Sequence, residues 1–122
     1  MIIYHITRQQ DWQNAQATGI YTADSLAQQG FIHASTREQV EDTAARFYSG
    51  QHGLVLLAID TLRSRAEVRF DPVALPTGET RFPHIYGPLN LDAVTGVAAF
   101  EPDSRGRFHF PEDFGDEAAP SQ

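Results

Sequence analysis

The chain has no cysteine and no lysine. Without cysteine there is no disulfide, no thiolate-bound zinc and no thiol nucleophile, and the same absence fits a reducing compartment. Without lysine there is no Schiff-base chemistry, and every fixed cation is one of nine arginines. Long apolar runs are missing too. No stretch approaches the ~20 residues of a membrane span, and Ile2–Ile6 is too short, and too poor in basic neighbours, to open a signal peptide. A cytoplasmic protein without a membrane partner is expected. A basic stripe is also absent. Sixteen acidic residues against nine arginines give a formal charge of −7, to which Glu112, Asp113, Asp116 and Glu117 contribute four. A long nucleic acid is therefore not an expected partner, whereas a small phosphate-bearing ligand held by local donors is compatible with that balance.

What is present suffices for one core. The 122 residues are 41% hydrophobic, which predicts a single α+β domain over 1–111 and an acidic, disordered tail over 112–122. Ile2–Ile6 reads as a strand. Thr7 then reads as an N-cap with Gln10 at N3, opening a helix over 8–18 that buries Trp12 and Ala15 and stops at Gly19. A short turn or helix over Asp24–Gln29 ends at Gly30, and Phe31–Ala34 forms a second strand. Ser35 or Thr36 caps the next helix, with Glu38 or Gln39 at N3, and the spacing of Val40, Ala44 and Phe47 predicts one buried face. Leu54–Ile59 is a continuous apolar run, expected as a central strand buried on both sides. Ala66–Phe70 alternates and should pair nearby. The prolines and glycines from Pro72 to Pro88 predict a long irregular stretch, with Phe82–Tyr86 extended inside it. Ala93–Phe100 is a further strand, and Arg107–Phe110 an edge strand.

Strand alternation sorts the side chains that carry chemistry. His5 and Thr7 point away from Tyr4 and Ile6. His33 and Ser35 point away from Ile32 and Ala34. Each histidine also lies just before a helix N-terminus, where free N–H groups favour an anion, so two such units side by side predict a pocket for a phosphate or nucleotide. His84 and Tyr86 share one side of a segment held between Pro83 and Pro88. Glu67, Arg69 and Asp71 alternate away from Val68 and Phe70, offering carboxylates and an anion clamp. Thr7, Ser35 and Thr36 also have a plain reading as caps, and His52 and His109 read as surface residues. Three histidines would serve as metal ligands, although no pair has helical spacing. The His-x-Thr and His-x-Ser pairs at 5–7 and 33–35 are also similar to the tandem motifs of two-histidine phosphoesterases. There the motifs lie much further apart than the 28 positions between these histidines.

Several segments resemble a known family. Ile-Tyr-His-Ile-Thr near the start, Gly-Phe-Ile-His-Ala-Ser-Thr at 30–36 and Phe-Pro-His-Ile-Tyr-Gly-Pro-Leu at 82–89 look like hallmark segments of domain-of-unknown-function family 952. Arg-Phe-Tyr at 46–48 and Leu-Val-Leu-Leu-Ala-Ile-Asp at 54–60 fit as well. A broader resemblance runs to the ADP-ribosyltransferase-like fold, which implies two small, mostly antiparallel sheets with flanking helices. In those enzymes a first-strand histidine binds the ribose of NAD. The resemblance thus implies NAD or ADP-ribose as ligand, with His5 and Thr7 at the ribose and His33 and Ser35 matching a segment of RNA 2′-phosphotransferases. It leaves the catalytic glutamate without a match, Asp71 being the nearest candidate and Glu67 the other carboxylate. Arg69 would serve as the phosphate cation, and His84 and Tyr86 as a wall. Gly-Ile-Tyr-Thr-Ala-Asp at 19–24 echoes a segment of poly(ADP-ribose) polymerases, but too close to His5 for the same alignment. Three functions stay open: a nucleotide or ADP-ribose pocket with or without transfer, a phosphoesterase, and a non-catalytic binding module. The oligomeric state is not legible.

Overall fold

A computed structural model of the chain describes residues 1–114. The centre is an antiparallel sheet of β1 (Ile2–Arg8), β4 (Leu54–Asp60) and β8 (Val94–Ala99), in the order β1-β4-β8. β4 lies between two partners, which is why its sequence is apolar throughout. Val55, Leu57 and Ile59 enter one core with Ile3, Trp12, Ala15, Ile32 and Ile85. Leu54, Leu56 and Ala58 enter a second core with Tyr4, Ile6, Val40, Ala44 and Phe100. The expectation of a strand buried on both faces holds.

A second antiparallel sheet is built from β3 (Ile32–His33), β6 (Gly78–Tyr86) and β5 (Glu67–Leu75), in the order β3-β6-β5. It is tied to the first by an antiparallel bridge between Tyr4 and Ser35, which exchange both backbone hydrogen bonds at 2.8 and 2.7 Å. β2 (Ile20–Tyr21) and β7 (Leu89–Asn90) form a short two-stranded ladder. Three helices flank the sheets: α1 (Gln9–Thr18), α2 (Asp24–Gln29) and α3 (Val40–Phe47). The architecture is α+β with small antiparallel sheets.

Several expectations are corrected. The stretch from Pro72 to Pro88 is mostly a regular hairpin, because both internal prolines sit where the ladder tolerates them. Pro72 lies on β5, an edge strand. The Pro83 carbonyl accepts from the Ala34 N–H at 3.1 Å, where the pairing of β6 with short β3 ends. Thr7 is not a cap. It stays in β1 opposite Val55, and Arg8 takes the N-cap position without a side-chain cap, its guanidinium instead 3.0 Å from Asp11. Ser35 is likewise used in the bridge to Tyr4. Thr36 is the cap before α3, in a capping box with Gln39. Gly19 ends α1 as expected, with φ of 89° and its N–H on the Ala15 carbonyl. Val40 and Ala44 are buried, but Phe47, in the last turn of α3, is 63% exposed.

Arg107–Phe110 forms no strand; its aromatic residues pack while its backbone stays irregular. The tail expected to be disordered begins with an ordered 3-10 turn over Glu112–Phe114, whose Phe114 side chain is buried against the second core. The rest of that segment lies outside the described residues. Among the described residues, no helix is long and apolar enough to cross a membrane.

Candidate functional site

The β3–β6 register sets Ile32 opposite Ile85 and His33 opposite His84, and the β5–β6 register sets Arg69 opposite His84. With a period of two, Ile32, Ile85 and Val68 turn to the first core, and the other face collects Phe31, His33, His84, Tyr86, Arg69 and Asp71. Six of the nine side chains singled out from the sequence thus share one sheet face: His33, His84, Tyr86, Glu67, Arg69 and Asp71.

They form a connected cluster. His84 Nδ1 is 2.8 Å from Asp71 Oδ2, and the Tyr86 hydroxyl donates to the same oxygen. A carboxylate only accepts, so the proton of this pair sits on His84 Nδ1 and its Nε2 is the nitrogen left for a ligand. The Tyr86 and His84 bonds hold the Asp71 carboxyl below the ordinary range, and the Asp71 bond in turn pushes the Tyr86 phenol up. Phe31 stacks on His84 at 4.0 Å and 13°, and the His33 ring meets His84 edge-on at 5.3 Å. His33 Nε2 bonds Gln29 Oε1 at 2.7 Å. Partial desolvation, and then the neighbouring His84, lower the His33 pKa. Arg69 lies over the Tyr86 ring at 4.6 Å and pairs with Glu67 at 2.9 Å. That pair is exposed, so Glu67 is committed to Arg69 on the outer part of the face.

His5 sits differently. It is 6% exposed, and both ring nitrogens are engaged: Nδ1 with the His33 carbonyl, Nε2 with the Tyr21 hydroxyl at 2.7 Å. A carbonyl only accepts, so Nδ1 carries the proton and Nε2 accepts from Tyr21. Tyr21 has one proton to give, so the Thr7 hydroxyl, 2.9 Å away, donates to the Tyr21 oxygen. Burial lowers the His5 pKa to about 4 and raises that of Tyr21 to about 12, so the whole chain is neutral. His5 therefore clamps the backbone at His33 and has no ring nitrogen left for a ligand. Ser35 is buried too, its hydroxyl 3.1 Å from Thr43 Oγ1.

One cavity of about 700 Å³ collects His5, Thr7, His33, Ser35 and His84 along its wall, together with Tyr21. Phe47, Val73, Leu75 and Phe82 give it an apolar side, and Arg8, Asp11 and Asp24 charged edges. Two participants were not found in the sequence: Phe31, although its alternation with His33 placed it on this face, and Tyr21, in the segment that echoes the polymerases. Phe47 was expected in the core and instead lines this cavity. His52 and His109 are exposed, beside Glu101 and Asp103 respectively, as expected. Among the described residues, no group of three or more histidine, aspartate or glutamate side chains is arranged to hold a metal.

Fold and site define an α+β protein with a histidine-lined cavity backed by an Asp–His–Tyr cluster. The chain belongs to the family described as Protein of unknown function (DUF952), which matches residues 6–97, in agreement with the resemblance of its hallmark segments. It is similar to the crystal structure of protein CC0527 from Caulobacter crescentus, with 36% identity over 98% of this chain and 100% of that one and a TM-score of 0.77. A double mutant of that protein gives the same values. The solution NMR structure of CC0527 is 34% identical over 95% of each chain, with a TM-score of 0.67. Comparison with curated proteins returns no match.

Proposed function

We propose that the cavity binds a small nucleotide or ADP-ribose-like ligand, with His33 and His84 at its ribose and phosphate and Phe47 and Phe82 against its base. The observation that carries this reading is the cross-strand pair His33–His84 inside a cavity of about 700 Å³, a volume within the usual range for small-molecule sites. Phe47, Val73, Leu75 and Phe82 supply the apolar surface that a base requires, and Phe47 is an exposed aromatic side chain in that lining. Two small antiparallel sheets joined at Tyr4–Ser35 around a cleft also support the ADP-ribosyltransferase-like fold as part of the proposal.

The roles shift from those the resemblance implies. His5 and Thr7, spent on Tyr21 and on the His33 carbonyl, hold the site's shape, and direct contact passes to His33 and His84. Asp71 acts through His84, and Glu67 is held by Arg69, so neither is offered as the carboxylate of a transferase. An amide-detected NMR titration with AMP, ADP-ribose and NAD tests the proposal. Shifts centred on His33, His84 and Phe47 are expected, and their absence at millimolar ligand ends the reading.

A further inference from the structure

We propose that His33 and His84 act as general base and general acid in the hydrolysis of a monoanionic phosphodiester of the 2′,3′-cyclic nucleotide class, with Asp71 as the residue that positions His84. The inference rests on the cavity being a nucleotide pocket and adds a reaction to it. Each ring is tethered through one nitrogen and offers the other. His33 Nε2–H donates to the Gln29 side-chain carbonyl, leaving the Nδ1 lone pair; His84 Nδ1–H donates to Asp71, leaving Nε2. The two environments differ. His84 has a carboxylate behind it and the face of Phe31 stacked on it. His33 is bonded to a neutral amide. Such asymmetry assigns the acid and the base. Both rings line the same cavity with centroids 5.3 Å apart, and an acid or base must come within about 3 Å of the oxygen it serves.

Charge selects the substrate class. Arg8 is the one arginine among the described residues lining the cavity; it is paired with Asp11 at 3.0 Å, and Asp24 lines the cavity as well. A cyclic diester brings one negative charge, the least that a nucleotide phosphate carries, to a lining whose single arginine is already paired. In the step, His33 Nδ1 takes a proton from water as the water oxygen bonds to phosphorus. One ring P–O bond breaks, and His84 Nε2–H protonates the departing ribose oxygen. One water is consumed, a phosphomonoester is released, and proton exchange with solvent resets both rings.

The test uses the full chain and 2′,3′-cyclic AMP, followed by phosphorus NMR. Expected are turnover to the monoester and a loss of at least about 100-fold in His33→Ala and in His84→Gln. His33 is exposed, so its variant does not threaten the fold, and the amide spectrum checks His84→Gln. Asp71→Asn is expected to lower kcat more than it raises KM. No turnover by the natural chain while AMP still shifts His33 and Phe47 overturns the reaction and leaves the pocket. Absence of both turnover and shifts overturns the pocket too, and unchanged turnover in His33→Ala overturns the assignment of the base.

Discussion

Tyr21 shows how much one hydroxyl supports. It gives its proton to His5 Nε2 and receives that of Thr7, and all three residues are buried. Tyr21→Phe keeps the ring and strands two polar atoms without a partner, so a loss of roughly 1–3 kcal/mol is expected in urea unfolding; a change within error would show that water replaces the hydroxyl. The same chain dictates an acid response. The folded His5 pKa is about 4, against 6.5 for an unperturbed histidine. Between those values the unfolded chain takes up a proton that the folded chain refuses, so stability falls as pH drops from 6.5 towards 4, by about 3 kcal/mol in total. The lowered His33 adds to the same trend, whereas the depressed Asp71 carboxyl matters only below the ordinary carboxylate range. Urea midpoints at pH 7 and pH 4.5 check this, and His5→Asn, which keeps a donor and cannot ionise, should flatten the dependence. Strand alternation made His5, Thr7, His33 and Ser35 legible as a set. It could not separate a ring spent inside from one left at a rim, because that depends on Tyr21, which arrives from a two-residue strand with no pattern of its own.

At the level of elements, hydroxyls with the same local sequence logic take opposite jobs. Thr7 and Thr36 both precede a helix with glutamine three positions on, yet only Thr36 closes a capping box. Thr7 fails because β1 runs on to Arg8 under the pairing with β4, and its side chain turns to Tyr21. Local capping energy, about 1 kcal/mol, does not compete with a ladder of seven paired residues. Thr36→Ala is therefore expected to cost about 1 kcal/mol and to speed hydrogen exchange at the Gln39 amide. Thr7→Val should leave exchange at the first turn of α1 unchanged while lowering stability through Tyr21, and faster exchange there would restore the cap reading. The β5–β6 hairpin was hidden for a related reason. Proline and glycine read locally as breaks, but an edge position for Pro72 and the end of the β3 pairing at Pro83 remove the penalty. The alternation of Glu67, Arg69 and Asp71 against Val68 and Phe70 survived that error and still placed the Asp71–His84 partners on one face.

Across the whole molecule, the first core, the cavity and the second core meet at β1, so whatever steadies β1 steadies the site. Tyr4 bridges to Ser35 through its backbone, while its ring enters the second core and packs against Phe110 edge-on at 5.0 Å and Phe114 at 5.9 Å. The Phe110 N–H donates to Glu41 on α3, and Arg37 lies over its ring at 4.0 Å. Phe110 and Phe114, on either side of the boundary that composition set after residue 111, thus pack together onto the second core. The acidic, small-residue character of 112–122 outweighed Phe114 in the sequence reading, because composition averages over a window and burial is decided side chain by side chain. Phe114 also explains Gly96 on β8: a Cβ there would stand 2.9 Å from the Phe114 ring. Phe114→Ala is expected to cost roughly 2–4 kcal/mol, near the lower part of the range for buried aromatics. Gly96→Ala in the natural chain should destabilise by pushing that ring off its seat. In the Phe114→Ala background the same substitution meets only ordinary contact with Ala58 at 3.7 Å and should cost much less. A double-mutant cycle by urea unfolding reads this coupling directly, and additive effects would mean that Phe114 does not hold that position in solution.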